Sequence, residues 1–315
     1  TTVGDMGFDP EQQLQHYRDV LETDDTPFRV CLLGRVLISN SSVDDEIERI
    51  MKFPEMSTRH LRFTNRIKLF CDGGYFAELM QVLAPGFIDG HEGEWMTSPE
   101  QLQALSRAAW HRGLHIHVHC TGDLGVELAL DILEELQWER PRFDHRYTIE
   151  HFGMSTPEQC ERIAALGAQV SANAYYVHEL GDAYWQHSVG FERASQMSRL
   201  GTLVKLGVRT ALHSDFTMAP AEPLNSAWVA VNRLSLSGEV MAPEECLSID
   251  QAMRAVTIDA AYMLGLENEI GSIRAGKKAD FTVLAKDPYE TSALELKDIP
   301  VVATVFEGEV HWIER

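Results

Sequence analysis

Short apolar runs rich in β-branched residues alternate along the chain with longer segments in which apolar residues recur every three or four positions. That alternation is the pattern of repeated βα units and a parallel sheet. Seven strands are expected, at Thr1–Met6, Phe28–Val36, Arg66–Phe70, Leu114–Cys120, Arg146–Phe152, Ala168–Ala174 and Val208–Ser214. Helix starts are marked between them. Ser98-Pro99-Glu100-Gln101 precedes Leu102, Leu105 and Ala109, and Ser155-Thr156-Pro157-Glu158-Gln159 precedes Ile163 and Leu166. Each places a hydroxyl at or near the N-cap and a proline in the first turn. After about residue 266 the texture changes: residues 269–284 and 302–312 read as short strands separated by glycine turns. The expected organisation is an α/β barrel over residues 1–266 followed by a small β-sandwich appendage over 267–315.

A chain of 315 residues, 44% of them hydrophobic, can bury a substantial core. Lys and Arg total 27 against 48 Asp and Glu, so a net charge of -21 repels phosphate backbones and anionic headgroups. Nucleic acid and membrane partners are therefore not expected. No run of apolar residues is long enough to span a bilayer, and residues near Thr1 do not form a basic region leading into an apolar signal core. The expected location is cytoplasmic. Cys31, Cys71, Cys120, Cys160 and Cys246 are odd in number and scattered, with no C-x-x-C pair, which reads as reduced, buried thiols.

The chemistry concentrates at strand ends. In Leu114-His-Ile-His-Val-His-Cys120 the alternation of a strand places His115, His117 and His119 on one face and Leu114, Ile116 and Val118 on the other. Packing alone would not favour three imidazoles on one face. His119 stands at the C-terminal end of its strand, where barrel enzymes carry catalytic groups. Thr148-Ile-Glu-His151 and Leu212-His-Ser-Asp215 end in the same manner, so His151 and Asp215 reach the same rim. Imidazole and carboxylate are the ligand set of hydrolytic zinc. Lys68, between Ile67 and Leu69, is a cation on a strand with apolar neighbours, and an unpaired interior ammonium is costly. Two readings stand open: a lysine that snorkels from a strand edge, or a carbamate formed with CO2 that becomes an anionic bridge between two divalent ions.

These residues resemble the amidohydrolase superfamily, and within it the YtcJ-like branch, amidohydrolase family 3. The resemblance is carried by Ile67-Lys-Leu-Phe-Cys-Asp-Gly73, His119-Cys-Thr-Gly-Asp123, Ile149-Glu-His151, Phe191-Glu-Arg193, Ser214-Asp215 and Ile270-Gly-Ser-Ile-Arg-Ala-Gly-Lys-Lys-Ala-Asp-Phe-Thr-Val-Leu284. It runs through nearly the whole chain. It implies a distorted (β/α)8 TIM barrel with a β-sandwich built from both chain ends. On that mapping Lys68 ends strand four, His119 strand five, His151 strand six and Asp215 strand eight, while Thr1–Gly7 resembles strand two. Strand one, whose His-x-His pair supplies two ligands in the family, has no counterpart, so the chain is expected to be an N-terminally truncated piece. Casting His117-Val-His119 as that pair is rejected, because three strands precede it and Gly122-Asp123 after it matches strand five. The chain also departs from the family at Cys120-Thr121 and at His213, which puts substrate class in doubt more than mechanism.

The resemblance implies one or two divalent ions, zinc with iron or manganese as alternatives, held by carboxylated Lys68, His119, His151 and Asp215. Asp215 would take the proton of the attacking water and pass it to the leaving nitrogen. His178, Arg193 and His213 are the expected substrate contacts. The substrate would be a small molecule with a non-peptide C–N bond: an amide, N-formyl group, cyclic amide or carbamate. Two rivals remain, a non-catalytic or regulatory ligand-binding relative and a metal-free aldolase or lyase using Lys68 as a Schiff-base nucleophile. Open strand edges lead to the expectation of a homo-oligomer, and the lack of the two His-x-His ligands to that of weak or incomplete metal binding by this chain alone.

Overall fold

All seven expected strands form, and they lie side by side in one parallel sheet in sequence order: β1 (Thr2–Phe8), β2 (Arg29–Arg35), β3 (Leu61–Phe70), β4 (His115–Cys120), β5 (Thr148–His151), β6 (Gln169–Ala172) and β7 (Thr210–Leu212). The computed structural model describes residues 1–36 and 42–313. Helices α1 (Pro10–Leu21), α2 (Val43–Met51), α3 (Pro99–His111), α4 (Asp123–Glu139) and α5 (Pro157–Leu166) make the first five crossovers. The sheet curls into an open barrel, with β1 and β7 at its two edges among the described residues. Both signalled helix starts are capped by a hydroxyl. Ser98 accepts from the Gln101 N–H, and Thr156 forms a reciprocal capping box with Gln159.

In β3, β4, β5 and β6 one face is apolar and the other is polar. Ile67, Leu69, Ile116, Val118, Ile149 and Val170 are buried in the core with Leu102, Leu105, Leu130, Leu133 and Ile163 from α3, α4 and α5. The face holding Lys68 is covered towards the N-terminal strand ends by the helix Ile258–Leu264 and the chain that follows. Ala261, Leu264, Leu266 and Ile270 pack with Cys31, Leu33 and Met6, and Arg66 Nε donates to Met263 O at 2.7 Å. The C-terminal strand ends are left for the site. All five cysteines are unpaired, four of them buried. No helix of the described residues is long and apolar enough to cross a membrane.

Strand β3 begins at Leu61, five residues before the expected Arg66. The reason is a register shift: Leu32 pairs with Phe63 but Gly34 pairs with Ile67, so β3 bulges against β2. Phe63 packs edge-on against Phe8 and Phe53, while Arg62 forms a bidentate ion pair with Glu269. The polar Thr64-Asn65 of the bulge hides this strand in the sequence. The tail forms a three-stranded antiparallel sheet of β8 (Phe281–Leu284), β9 (Val301–Phe306) and β10 (Glu309–Trp312). Arg29 ties it to β2: its buried guanidinium ion-pairs with Asp280 and Glu307 and lies 4.6 Å over the Phe306 ring.

A second buried arginine braces the loops beneath the C-terminal rim. Arg233, 0% exposed, donates to the carbonyls of Met241, Ser198, Ser195 and Met197 at 2.6–3.0 Å. Ser198 in turn hydrogen-bonds Gly153 O and Asn173 O, just past the ends of β5 and β6. Arg233→Met would leave four carbonyls without their charged donor. We expect a stability loss of about 3 kcal/mol or more, read as a lower urea midpoint with an unchanged slope; an unaltered midpoint would remove the bracing role.

Candidate metal and catalytic site

The register of the parallel sheet sets the first contacts. Lys68 lies beside His117, Phe70 beside His119, and His119 beside Glu150. Strand alternation would then turn His151 away from the face that Glu150 occupies. It does not, because His151 and Phe152 take left-handed backbone conformations, φ 74° and 50°, at the end of β5. Asp215, after β7, does the same at φ 52°. Such conformations are strained for residues with a side chain and gather at functional sites. Here they turn consecutive side chains into one space.

In that space Lys68 Nζ is 3.5 Å from His151 Nε2. His119 meets His151 edge to face, with ring centroids 4.5 Å apart, and its Nε2 is 3.3 Å from Gly73 O. His151 Nδ1 is 3.1 Å from His213 Nε2 and 3.7 Å from Asp215 Oδ2. His213 Nδ1 is 2.9 Å from Ser171 Oγ and 3.8 Å from Glu150 Oε2, and Glu150 Oε1 is 2.6 Å from His117 Nδ1. The structure therefore brings together Lys68, His119, His151, His213 and Asp215. His178 and Arg193 are engaged elsewhere. His178 Nδ1 is 2.7 Å from Leu234 O with its ring edge-on to Trp228, and Arg193 pairs with Asp123 at 2.6 Å and donates to Gly86 O.

Burial sets the protonation states. It lowers Lys68 below the ordinary lysine value, and with the Lys68 charge beside them it pushes His119 down to about 3 and His151 well below the usual imidazole range. Glu150 behaves oppositely. Burial would raise it, but the His117 hydrogen bond and then the Lys68 charge outweigh that and bring it to about 2. At neutral pH the space thus holds neutral imidazoles over an ionised carboxylate. Its chemistry suits a divalent cation: imidazole nitrogens free to donate a lone pair, the Asp215 carboxylate, and an amine whose burial favours the neutral form that reacts with CO2. In arrangement, no three His, Cys, Asp or Glu side chains among the described residues are already closed on one point.

Three supporting residues were not singled out from the sequence. Glu150 had a signal, since Thr148 and Glu150 share a face at period two and an acidic residue facing a barrel interior needs partners. Ser171 had none. Asp72 lies in the quoted Lys68–Gly73 run, yet its role appears only in three dimensions: its carboxylate accepts the N–H groups of Thr121, Gly122 and Gln81 at 2.8–3.0 Å. Burial raises it to about 7 against those three donors. It also dictates a glycine, because a Cβ at Gly125 would sit 2.8 Å from Asp72 Cγ. Asp72 thereby ties the loop after β3 to the turn that follows His119.

The profile of the amidohydrolase family matches residues 1–311. The chain is 27% identical over 268 residues to N-substituted formamide deformylase of Arthrobacter pascens, covering 85% of this chain and 48% of that protein. It is 27% identical over 289 residues to YtcJ of Bacillus subtilis (strain 168), covering 90% of this chain and 52% of YtcJ. An uncharacterized metal-dependent hydrolase from Pyrococcus furiosus shares the fold, with a TM-score of 0.68 at 24% identity over 88% of this chain and 54% of the other. The chain spans about half the length of the curated relatives it matches.

Removing the Asp72 carboxylate should loosen the turn that carries His119. In Asp72→Ala three N–H groups lose their acceptor, and the two buried ones, of Thr121 and Gly122, are each worth roughly 1–3 kcal/mol when left unpaired. Hydrogen exchange at the Thr121 and Gly122 amides should accelerate by at least ~100-fold, as a local loss of about 3 kcal/mol requires. Unchanged protection there would show that Asp72 does not hold the turn.

Proposed function

The chain belongs to the amidohydrolase family, and from that membership we propose that it carries the metal-dependent hydrolytic site of an enzyme that cleaves non-peptide C–N bonds in small molecules. The observation that carries the reading is the convergence of a buried amine, two neutral imidazoles and a carboxylate from four separate strand ends: Lys68, His119, His151 and Asp215. His119 and His151 would hold a divalent ion, zinc or alternatively iron or manganese, through lone pairs that burial keeps free. Lys68 would join them as a carboxylated lysine, since burial shifts it towards the unprotonated form that attacks CO2. When bound, the cation acidifies water and polarises the scissile carbonyl.

The protein's own groups do the rest. Asp215, 44% exposed in its side chain and thus open to solvent, accepts a proton from the attacking water and returns it to the leaving nitrogen. The relative named as an N-substituted formamide deformylase favours an N-formyl group among the amide, cyclic amide and carbamate alternatives. A second reading, a non-catalytic relative that binds a ligand, is favoured by the lack of three His, Cys, Asp or Glu donors closed on one point among the described residues.

Metal analysis separates the two. The hydrolase reading expects bound zinc, iron or manganese that falls by roughly 100-fold in affinity in His119→Ala and His151→Ala, at least the loss seen for supporting residues of metal sites, with thermal unfolding little changed. Metal content unmoved in both variants would remove the site. Lys68→Arg should abolish N-formyl and amide hydrolysis, because a guanidinium stays cationic and forms no carbamate; retained turnover would exclude a carboxylated lysine.

A further inference from the structure

We infer that His213 is a positioning residue: it holds the proton of His151 on Nδ1 and so keeps His151 Nε2 free to bind a cation. The inference rests on the reading of His151 as a metal ligand and assigns His213 a role other than substrate contact. His213 stands just past β7, between Ser171 on β6 and His151 at the end of β5. Its two ring nitrogens are both engaged, Nε2 with His151 Nδ1 at 3.1 Å and Nδ1 with Ser171 Oγ at 2.9 Å.

Two imidazole nitrogens at that separation share one proton, and the neighbours decide which side holds it. At one end of the chain Lys68 Nζ lies 3.5 Å from His151 Nε2 and can donate to a lone pair there. At the other end the Glu150 carboxylate oxygen, an acceptor, lies 3.8 Å from His213 Nδ1 and favours a proton on that nitrogen. Asp215 Oδ2, 3.7 Å from His151 Nδ1, pulls in the same direction. All three agree on one arrangement: His151 Nδ1–H donates to His213 Nε2, and His213 Nδ1–H donates to Ser171 Oγ. The reverse arrangement would bare His213 Nδ1 before the Glu150 carboxylate and leave His151 Nδ1 without a proton to offer Asp215. A ligating histidine is commonly oriented by a partner on its other nitrogen, most often a carboxylate or a carbonyl. Here the partner is a second imidazole, itself oriented by Ser171 and Glu150.

The test begins with the metal-free protein carrying 15N-labelled histidine. Long-range 1H–15N correlations at neutral pH should show His151 protonated on Nδ1 and bare on Nε2. In His213→Ala that pattern should give way to mixed tautomers, and zinc affinity should fall by roughly 10–100-fold, the usual loss when such a partner is removed. His213→Gln, whose amide oxygen accepts the same proton, should recover both. His151 protonated on Nε2 in the wild-type chain, or zinc affinity equal in wild type and His213→Ala, would overturn the inference. The two levels separate cleanly: a chain that binds no zinc but shows the Nδ1–H tautomer defeats the hydrolase reading and supports the tautomer assignment, whereas zinc binding with the proton on Nε2 does the reverse.

Discussion

A primary amine only 2% exposed at the centre of a barrel is the constraint on which the rest of the site depends. Left as an isolated ammonium, Lys68 would carry a desolvation cost that the fold could not absorb. The structure answers with polarity rather than with a single ion pair. Glu150 supplies a negative charge in the same interior, His151 offers an imidazole nitrogen at 3.5 Å, and Phe70 places its ring 5.4 Å from the amine. The same burial that depresses Lys68 depresses the histidines around it, so one physical cause prepares both the amine and its neighbours for a cation. Glu150 is the counterpart that makes this arrangement tolerable, since its ionised carboxylate is shared between His117 and His213.

Such a group of charges requires a rigid frame, and the frame is divided by level. Towards the N-terminal strand ends the interior is closed by the helix Ile258–Leu264, whose Met263 carbonyl accepts from Arg66. On the outside, α3, α4 and α5 bury their apolar faces against the strands. Towards the C-terminal ends the loops are tied to one another by groups that donate to or accept from backbone: Asp72 under the Thr121-Gly122 turn, Arg193 between Asp123 and Gly86, and Arg233 under Ser195–Ser198. They brace the turn after His119 and the loops after β5 and β6, and side chains held this way lose little further freedom when a ligand arrives. The left-handed backbone at His151 and Asp215 persists because the surrounding hydrogen bonds over-determine it.

Periodicity and end-of-strand chemistry were enough to lay out the seven parallel strands, the two capped helices and the strand-end residues Lys68, His119, His151 and Asp215, because those features are local. Period two in residues 114–120 requires neighbours along one strand, and a Ser-Pro or Thr-Pro helix start requires only a few consecutive residues. Four things were decided by the tertiary structure. The start of β3 at Leu61 depends on a bulge against β2. Asp72 binds backbone amides that lie 9, 49 and 50 residues further along the chain. The partners of His178 and Arg193 are Leu234 O, the Asp123 carboxylate and Gly86 O, 56, 70 and 107 residues away. His213 is placed between Ser171 and His151, 42 and 62 residues away. The physical reason is the same in each case. Backbone propensity and hydrophobic period act over a few residues, whereas a hydrogen bond is made with whichever group the folded chain brings within about 3 Å, and no pattern along the sequence records that distance.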